Sequence, residues 1–197
     1  MEIRESVSNY IVTFDNVVPN KVLNSFYKYC KYNTDFTKAQ IIGEKKDRSS
    51  EIINENVRNV SSLRLDKYTN SLTQIHWANL LNFTFSYFIK EYQIILNMNN
   101  ISFKITNIDL LKYQKEGHYS FHVDDCEGYH RTFSCILLIN DEYEGGDLFF
   151  KNVVRKEITK INKVKNRIII WPSNFLFPHK ISPVTKGERF SVVAWAV

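Results

Sequence analysis

Hydrophobic spacing divides the chain near residue 100. Before that point two stretches repeat every three to four residues, the period of a helix with one apolar face. In the first, Val22, Leu23, Phe26, Tyr27 and Cys30 follow this spacing, and Asn20 stands where it can cap a helix running to about Asn33. In the second, from about Thr73 to Leu96, the apolar stripe is Trp77, Leu80, Leu81, Phe85, Phe88 and Ile89, with Lys90 and Glu91 near the outer face. The turn-prone residues Asn97 to Asn100 close it. Such a stripe is read as packing against a sheet, and His76, near the helix start, as structural or exposed. Tyr10 to Phe14 reads as a short strand broken by Asp15, Asn16 and Pro19. Residues 34–62 are polar and weakly periodic. They read as a mobile loop, either an ordinary surface loop or a lid facing substrate.

After residue 100 the pattern turns to strands throughout. The expected ones are Ser102 to Tyr113, the segment ending at His122, Thr132 to Ile139, Asp147 to Phe150, Glu157 to Lys160, Arg167 to Trp171, Pro178 to Ser182 and Arg189 to Val197. Many short strands with turn signals between them predict a double-layered jelly-roll barrel. Glu144, Gly145 and Gly146 lie between two apolar runs and supply the positive φ angles of a tight reversal. The fold class expected is therefore α+β, mainly β. The 197 residues suffice for one domain with a sizeable core, with residues 1–100 as support and 101–197 as the barrel.

Charge changes this picture little. The net +5 is unevenly spread, with +2 over residues 1–100, −5 over 101–150 and +8 over 151–197. Much of the basic excess lies in residues 151–167, where charges alternate with Val and Ile. That pattern favours a hairpin edge guarded by lysines over a nucleic-acid surface. Cys30, Cys126 and Cys135 are odd in number and lack metal-binding spacing, which suggests neither disulfides nor zinc. With no long apolar run and no basic, apolar leader at the start, a soluble cytoplasmic protein is expected.

Candidate chemistry centres on Tyr113 to Asp125, where His122 and Asp124 stand two apart in an alternating segment. On a strand both would share a face. An imidazole beside a carboxylate supplies two ligands of the 2-His-1-carboxylate set that suits non-haem Fe(II). His179, 55 residues beyond Asp124 and directly after Pro178, is the natural third ligand. His118 and His130 lack the phase of His122, and Cys126 reads as a bystander. In the last strand Arg189, Ser191, Val193 and Trp195 alternate onto one face, so a guanidinium and a hydroxyl would enter the same cavity. That is a carboxylate site; the competing reading of Arg189 is a surface ion pair with Glu188. Asp125 would stand behind the ligands or face substrate, as would Tyr119 and Arg131.

Residues 113–197 resemble the 2-oxoglutarate- and Fe(II)-dependent dioxygenases of the prolyl 4-hydroxylase-like branch. The resemblance rests on ordered features: Tyr113, Gly117 and Tyr119 before His122-Val123-Asp124; Arg131 to Ser134 opening a strand; Tyr143, Gly145 and Gly146; Trp171-Pro172-Ser173; Pro178-His179; and Gly187, Arg189 and Trp195. The chain's start, YIVTFDNVVPNKVLNSF, is also similar to the entry of this branch. The resemblance implies a double-stranded β-helix with N-terminal helices on its larger sheet. It implies Fe(II) held by His122, Asp124 and His179, and 2-oxoglutarate held by Arg189 with help from Tyr113, with Trp195 packing nearby. Leu138 departs from relatives that place a tyrosine there. Arg189 makes the oxygen-sensing, ribosomal and bacterial prolyl hydroxylases closer comparisons than animal collagen hydroxylases, which use lysine.

The function implied is hydroxylation of a substrate C–H, with O2 as co-substrate, ascorbate as reductant, and succinate and CO2 as co-products. A proline-containing peptide or protein is the expected partner, and no membrane. Three other readings stand beside it: a small-molecule or free amino-acid hydroxylase, a nucleic-acid demethylase, and a non-catalytic binding barrel. Against the demethylase, the last strand carries one arginine where that branch presents two.

Overall fold

Alternation along the last strand sorts its side chains onto two faces. Phe190, Val192, Ala194 and Ala196 join one apolar cluster, while Val193 and Trp195 join another beside buried Arg189 and Ser191. These two clusters are the two layers of the core. The computed structural model describes residues 7–42, 51–98, 101–126, 128, 130–152 and 157–197.

In chain order, a 3-10 turn (Val7–Tyr10) precedes β1 (Val12–Asp15), α1 (Asn20–Tyr32), β2 (Thr37–Lys38), β3 (Ile41–Ile42), β4 (Glu51–Ile52), β5 (Arg58–Asn59), β6 (Ser61–Arg64) and α2 (Leu72–Ile95). There follow β7 (Ile105–Tyr113), β8 (His118–His122), β9 (Phe133–Leu138), β10 (Glu144–Gly145), β11 (Leu148–Asn152), β12 (Glu157–Ile161) and β13 (Arg167–Pro172). β14 (His179–Ile181), β15 (Val184–Lys186) and β16 (Arg189–Ala196) complete the chain. A larger sheet runs β1-β13-β9-β16-β7-β6-β2 and a smaller one β12-β11-β14-β8-β5. The pairings are antiparallel. This is the mainly β jelly-roll expected.

The helices cover the larger sheet. Leu23, Phe26 and Cys30 of α1, with Trp77, Leu81, Phe85, Ile89 and Tyr92 of α2, pack on Leu110, Leu137, Ile168, Ile170 and Val192. Burying a side chain of this size contributes about 1.5–3 kcal/mol, so this layer holds the barrel's shape. The opposite face of the same strands presents Leu111, Ile136, Leu138, Ile169 and Val193 to Leu148, Phe150 and Ile181 of the smaller sheet.

Several expectations shift. Pro19, not Asn20, occupies the cap of α1, and Asn20 is its first helical residue, with no side-chain cap. The fixed φ of proline starts that helix without one. α2 is capped by Ser71, whose Oγ accepts from the Gln74 amide at 3.3 Å. The first strand begins at Val12, two residues later than its apolar run suggests, because Val7–Tyr10 forms the 3-10 turn. Residues 34–62 are not one structureless loop: β2, β3, β4, β5 and the start of β6 lie within them, and residues 43–50 fall outside the described residues. Gly145 and Gly146 have the expected positive φ (69° and 60°) but do not close a hairpin. β9 and β11 belong to different sheets, and Glu144–Gly145 pairs instead with β15. The glycines carry the crossover between layers, and a Cβ on Gly145 would lie 2.2 Å from the Pro183 carbonyl oxygen.

In the basic stretch, β11 and β12 pair as an antiparallel hairpin with β12 at the sheet edge. Lys160 pairs with Asp147 at 2.7 Å, and Arg167 with Asp15 at 2.6 Å. Residues 153–156 of that stretch lie outside the described residues. Among the described residues, no helix is long and apolar enough to cross a membrane.

Candidate active site

The metal-ligand set is built where β8 meets β14. His179 faces His122 across this pair and Ile181 faces Tyr119, so a three-residue step on β8 opposes a two-residue step on β14. The extra residue is a β-bulge, which re-aims side chains that strict alternation would turn away. Tyr119 and His122 therefore face one cavity, with rings stacked at 3.6 Å and 18°. Strand phase does not place Asp124, because β8 ends at His122 and Asp124 lies in a bend beyond it. Other contacts aim it.

The Ser134 hydroxyl on β9 donates to Asp124 Oδ2 at 2.7 Å and contacts the Ser173 hydroxyl at 2.7 Å. Arg131 Nη1 donates to the Asp124 backbone carbonyl at 3.1 Å. So held, the carboxylate stands 3.6 Å from His122 Nε2 and 3.5 Å from His179 Nε2. One ligand atom from each of the three residues lies within 4.8 Å of the others. His122 Nδ1 lies 2.9 Å from the Ser120 carbonyl oxygen, and His179 Nδ1 3.1 Å from that of Phe177. A carbonyl only accepts, so each Nδ1 carries the proton and each Nε2 turns its lone pair inward, as metal-binding histidines require.

Protonation suits a cation. Burial lowers the His179 pKa, His122 adds to this, and the result is about 4, so the imidazole is neutral at pH 7. Burial alone would raise the Asp124 carboxyl; the two imidazoles and the Ser134 hydroxyl outweigh it and hold the group well below the usual carboxylate range. Two imidazoles and a carboxylate on one face fit Fe(II) with positions left open.

Across the core, Arg189 is 1% exposed. Its Nη1 donates to Ser191 Oγ at 2.7 Å, and its Cζ lies 4.8 Å from the centre of the Tyr113 ring. Nε and Nη2 are buried with no hydrogen-bond partner, as is the Tyr143 hydroxyl. The surface pair with Glu188 does not form: Glu188 bonds Lys112 at 3.1 Å. A buried guanidinium with two unsatisfied donors beside an unsatisfied hydroxyl suits a carboxylate, the group that a 2-oxo diacid would place here.

The cavity that holds the ligand set has a volume of about 710 Å3 and is also lined by Tyr113, Tyr119, Arg131 and Trp195. Contrary to the expectation from strand alternation, Arg189 and Ser191 do not line it; Arg189 lies behind the Tyr113 ring, which does. Arg131 lies over the Trp195 ring, its Cζ 4.1 Å from the centre. It is thus part of the cavity wall, tied to the Asp124 loop. Asp125 does not line the cavity; its Oδ1 accepts from the Arg131 amide at 3.2 Å and lies 3.6 Å from His130 Nδ1. Cys126 lines the cavity as an unpaired thiol. His118 directs its ring nitrogens at the carbonyls of Glu116 and Asn56, and His130 is exposed, so neither joins the ligand set.

Four residues had no role in the sequence reading. Ser134 was accessible to it, since it shares the inward phase of Ile136 and Leu138. Ser173 and Tyr143 stood in recognisable segments, but contacts made through space give their roles. Arg58 enters from β5, a two-residue strand with no pattern of its own.

The model of the 2OG-Fe(II) oxygenase superfamily matches residues 108–197. Human prolyl 3-hydroxylase 2 is 38% identical over 66 residues, 33% of this chain and 9% of that protein. A PKHD-type hydroxylase of Idiomarina loihiensis is 26% identical over 96 residues, 47% of this chain and 42% of that one. These matches span far less than two thirds of either relative. A prolyl hydroxylase of Trichoplax adhaerens, solved with a hypoxia inducible factor peptide fragment, superposes with a TM-score of 0.71 at 15% identity, covering 96% of this chain and 84% of that one. That likeness is one of fold.

Proposed function

We propose that this chain, whose residues 108–197 belong to the 2OG-Fe(II) oxygenase superfamily, is an Fe(II)- and 2-oxoglutarate-dependent dioxygenase that hydroxylates a prolyl residue in a peptide or protein. The observation that carries this reading is the convergence of three metal-binding side chains on one cavity, with a buried, incompletely bonded guanidinium directly behind its wall. His122, Asp124 and His179 converge on the cavity, while Arg189, with Nε and Nη2 unsatisfied beside Tyr143, lies behind the lining residue Tyr113.

When bound, Fe(II) with 2-oxoglutarate and O2 supplies the chemistry that puts one oxygen atom into a substrate C–H and leaves succinate and CO2. The chain's residues hold and orient. His122, Asp124 and His179 would bind the metal, with Ser134 and Arg131 fixing the carboxylate between the imidazoles. Arg189, steadied by Ser191, would take the distal carboxylate of 2-oxoglutarate, with Tyr113 and Tyr143 around it. Trp195 and Trp171 wall the cavity and limit water. Tyr119, stacked on His122, would place the substrate ring against the reacting end. Ascorbate would serve as reductant, and the unpaired thiols Cys30, Cys126 and Cys135 agree with a reducing cytoplasm.

The substrate class is supported by the prolyl hydroxylases among the relatives and the structural neighbours, and by a cavity in the size range of ligand sites. It is tested by incubating the protein with proline-containing peptides, Fe(II), 2-oxoglutarate and ascorbate, followed by mass spectrometry. One added oxygen on proline is expected; succinate formed with every peptide unmodified would remove proline from the reading.

A further inference from the structure

Three arginines line the cavity, and two of them are neutralised within the fold. Arg64 pairs with Asp109 through Nε and Nη2. Arg131 is held by Asp124 and lies over Trp195. Arg58 is different. Its Nη1 donates to the Gln40 carbonyl at 2.8 Å, while Nε is buried without a partner. Among the described residues it forms no ion pair. The nearby carboxylates are committed elsewhere, Glu55 to Lys38 at 3.2 Å, Asp109 to Arg64 and Asp124 to the ligand set. A guanidinium kept partly out of water, with no counter-charge among the described residues, is costly unless an anion meets it.

Its position is informative. β5 pairs with β8 so that Arg58 stands opposite Tyr119. The guanidinium Cζ lies 4.8 Å from the centre of the Tyr119 ring, and that ring stacks on His122 at 3.6 Å. Arg58, Tyr119 and His122 thus form a three-layer stack leading from the cavity's outer wall to a metal ligand. An anion on Arg58 is held about one aromatic ring away from the reacting end. The lining contributed by residues 39–62 is mixed, with Gln40, Asn54 and Ser62 beside apolar Ala39, Ile41, Ile52 and Val57.

We infer that Arg58 anchors a carboxylate carried by the substrate. This rests on the oxygenase reading and narrows its substrate class. The carboxylate is either the α-carboxylate of a free amino or imino acid, or an acidic side chain next to the hydroxylated residue of a peptide. Arg131 cannot take this part without releasing the Asp124 loop.

The test is calorimetric, on protein loaded with Fe(II) and 2-oxoglutarate under anaerobic conditions so that binding is read without turnover. The probes are two matched pairs: L-proline against L-prolinamide, and alanine-rich decapeptides with a central Pro-Glu against Pro-Gln. One carboxylate probe is expected to bind ~10- to 100-fold tighter than its amide, the span of a charge-assisted hydrogen bond. Preference in the first pair identifies a free acid as the source, and preference in the second an acidic peptide. Arg58→Gln should abolish the preference and Arg58→Lys retain part of it, with melting temperatures near wild type for both. A loaded protein with no carboxylate preference, or with the same preference in Arg58→Gln, overturns the inference alone. Protein that takes up neither Fe(II) nor 2-oxoglutarate overturns the oxygenase reading with it.

Discussion

Arg189→Met is expected to raise the stability of the ligand-free protein while destroying its affinity for 2-oxoglutarate. Arg189 is 1% exposed, and two of its donors, Nε and Nη2, have no partner. Each buried, unsatisfied donor costs about 1–3 kcal/mol. The substitution also loses the bond to Ser191 and the contact with the Tyr113 ring, each worth about 1 kcal/mol. Methionine fills much of the same volume with a flexible apolar chain. At the centre of these ranges the balance is a gain of about 2 kcal/mol, or a rise in Tm of about 4–8 °C for a chain of this size. With ligand the sign reverses. Saturating 2-oxoglutarate at about 100 times its Kd should stabilise the wild type by about 2.7 kcal/mol. The variant, lacking two charge-assisted bonds of about 1.5–3 kcal/mol each, should bind ~100- to 10,000-fold more weakly and show no shift. Thermal melts with and without 2-oxoglutarate, in the presence of Fe(II) and absence of O2, read both effects. A ligand-free variant that melts several degrees lower, or one that still gains stability from 2-oxoglutarate, would refute the assignment of Arg189 as a buried cation awaiting a carboxylate.

Two further outcomes follow from the ligand set. His179 has a folded pKa of about 4 against an ordinary 6.5; between those values the unfolded chain binds a proton that the folded chain does not, so stability rises with pH across that window. Urea titrations of the metal-free protein should lose roughly 3 kcal/mol between pH 6.5 and 4, with further loss below pH 3.8 as Asp124 protonates; His179→Phe should flatten the upper window, and an unchanged slope would count against a neutral, buried imidazole. Ser134→Ala removes the hydroxyl that donates to Asp124 Oδ2, and metal titration should show ~10- to 100-fold weaker Fe(II) binding, with Ser134→Thr near wild type; equal affinities in all three would show that Ser134 does not position the carboxylate.

What the sequence could disclose depended on how local the cause was. β16 was legible because period-2 alternation put Arg189 and Ser191 with Val193 and Trp195, and its nearly unbroken apolar run matches a strand buried on both faces. α2 was legible because one long stripe meets one sheet. His122, Asp124 and His179 were found by residue type and order, yet the argument that strand phase aligns His122 with Asp124 does not hold. The alignment comes from a bulge on β8 and from Ser134 on another strand. Neither a register shift nor a contact between residues ten apart leaves a periodic trace. The segment from 34 to 62 has the pattern of a loop because its strands are two to four residues long, shorter than any window in which periodicity shows. Arg58 was hidden for the same reason. Gly145 and Gly146 announced positive φ correctly, but a positive φ does not tell a hairpin from a crossover.

The pairing of a metal site with an anion site is tested most directly by Fe(II)-dependent conversion of 2-oxoglutarate to succinate, measured for the wild type and His179→Ala under the same conditions. Succinate from the wild type that disappears on chelating Fe(II), and none above background from the variant, is the expected result. Near-normal succinate formation by His179→Ala, or none by a folded, Fe(II)-supplied wild type offered 2-oxoglutarate and proline-containing peptides, would contradict it.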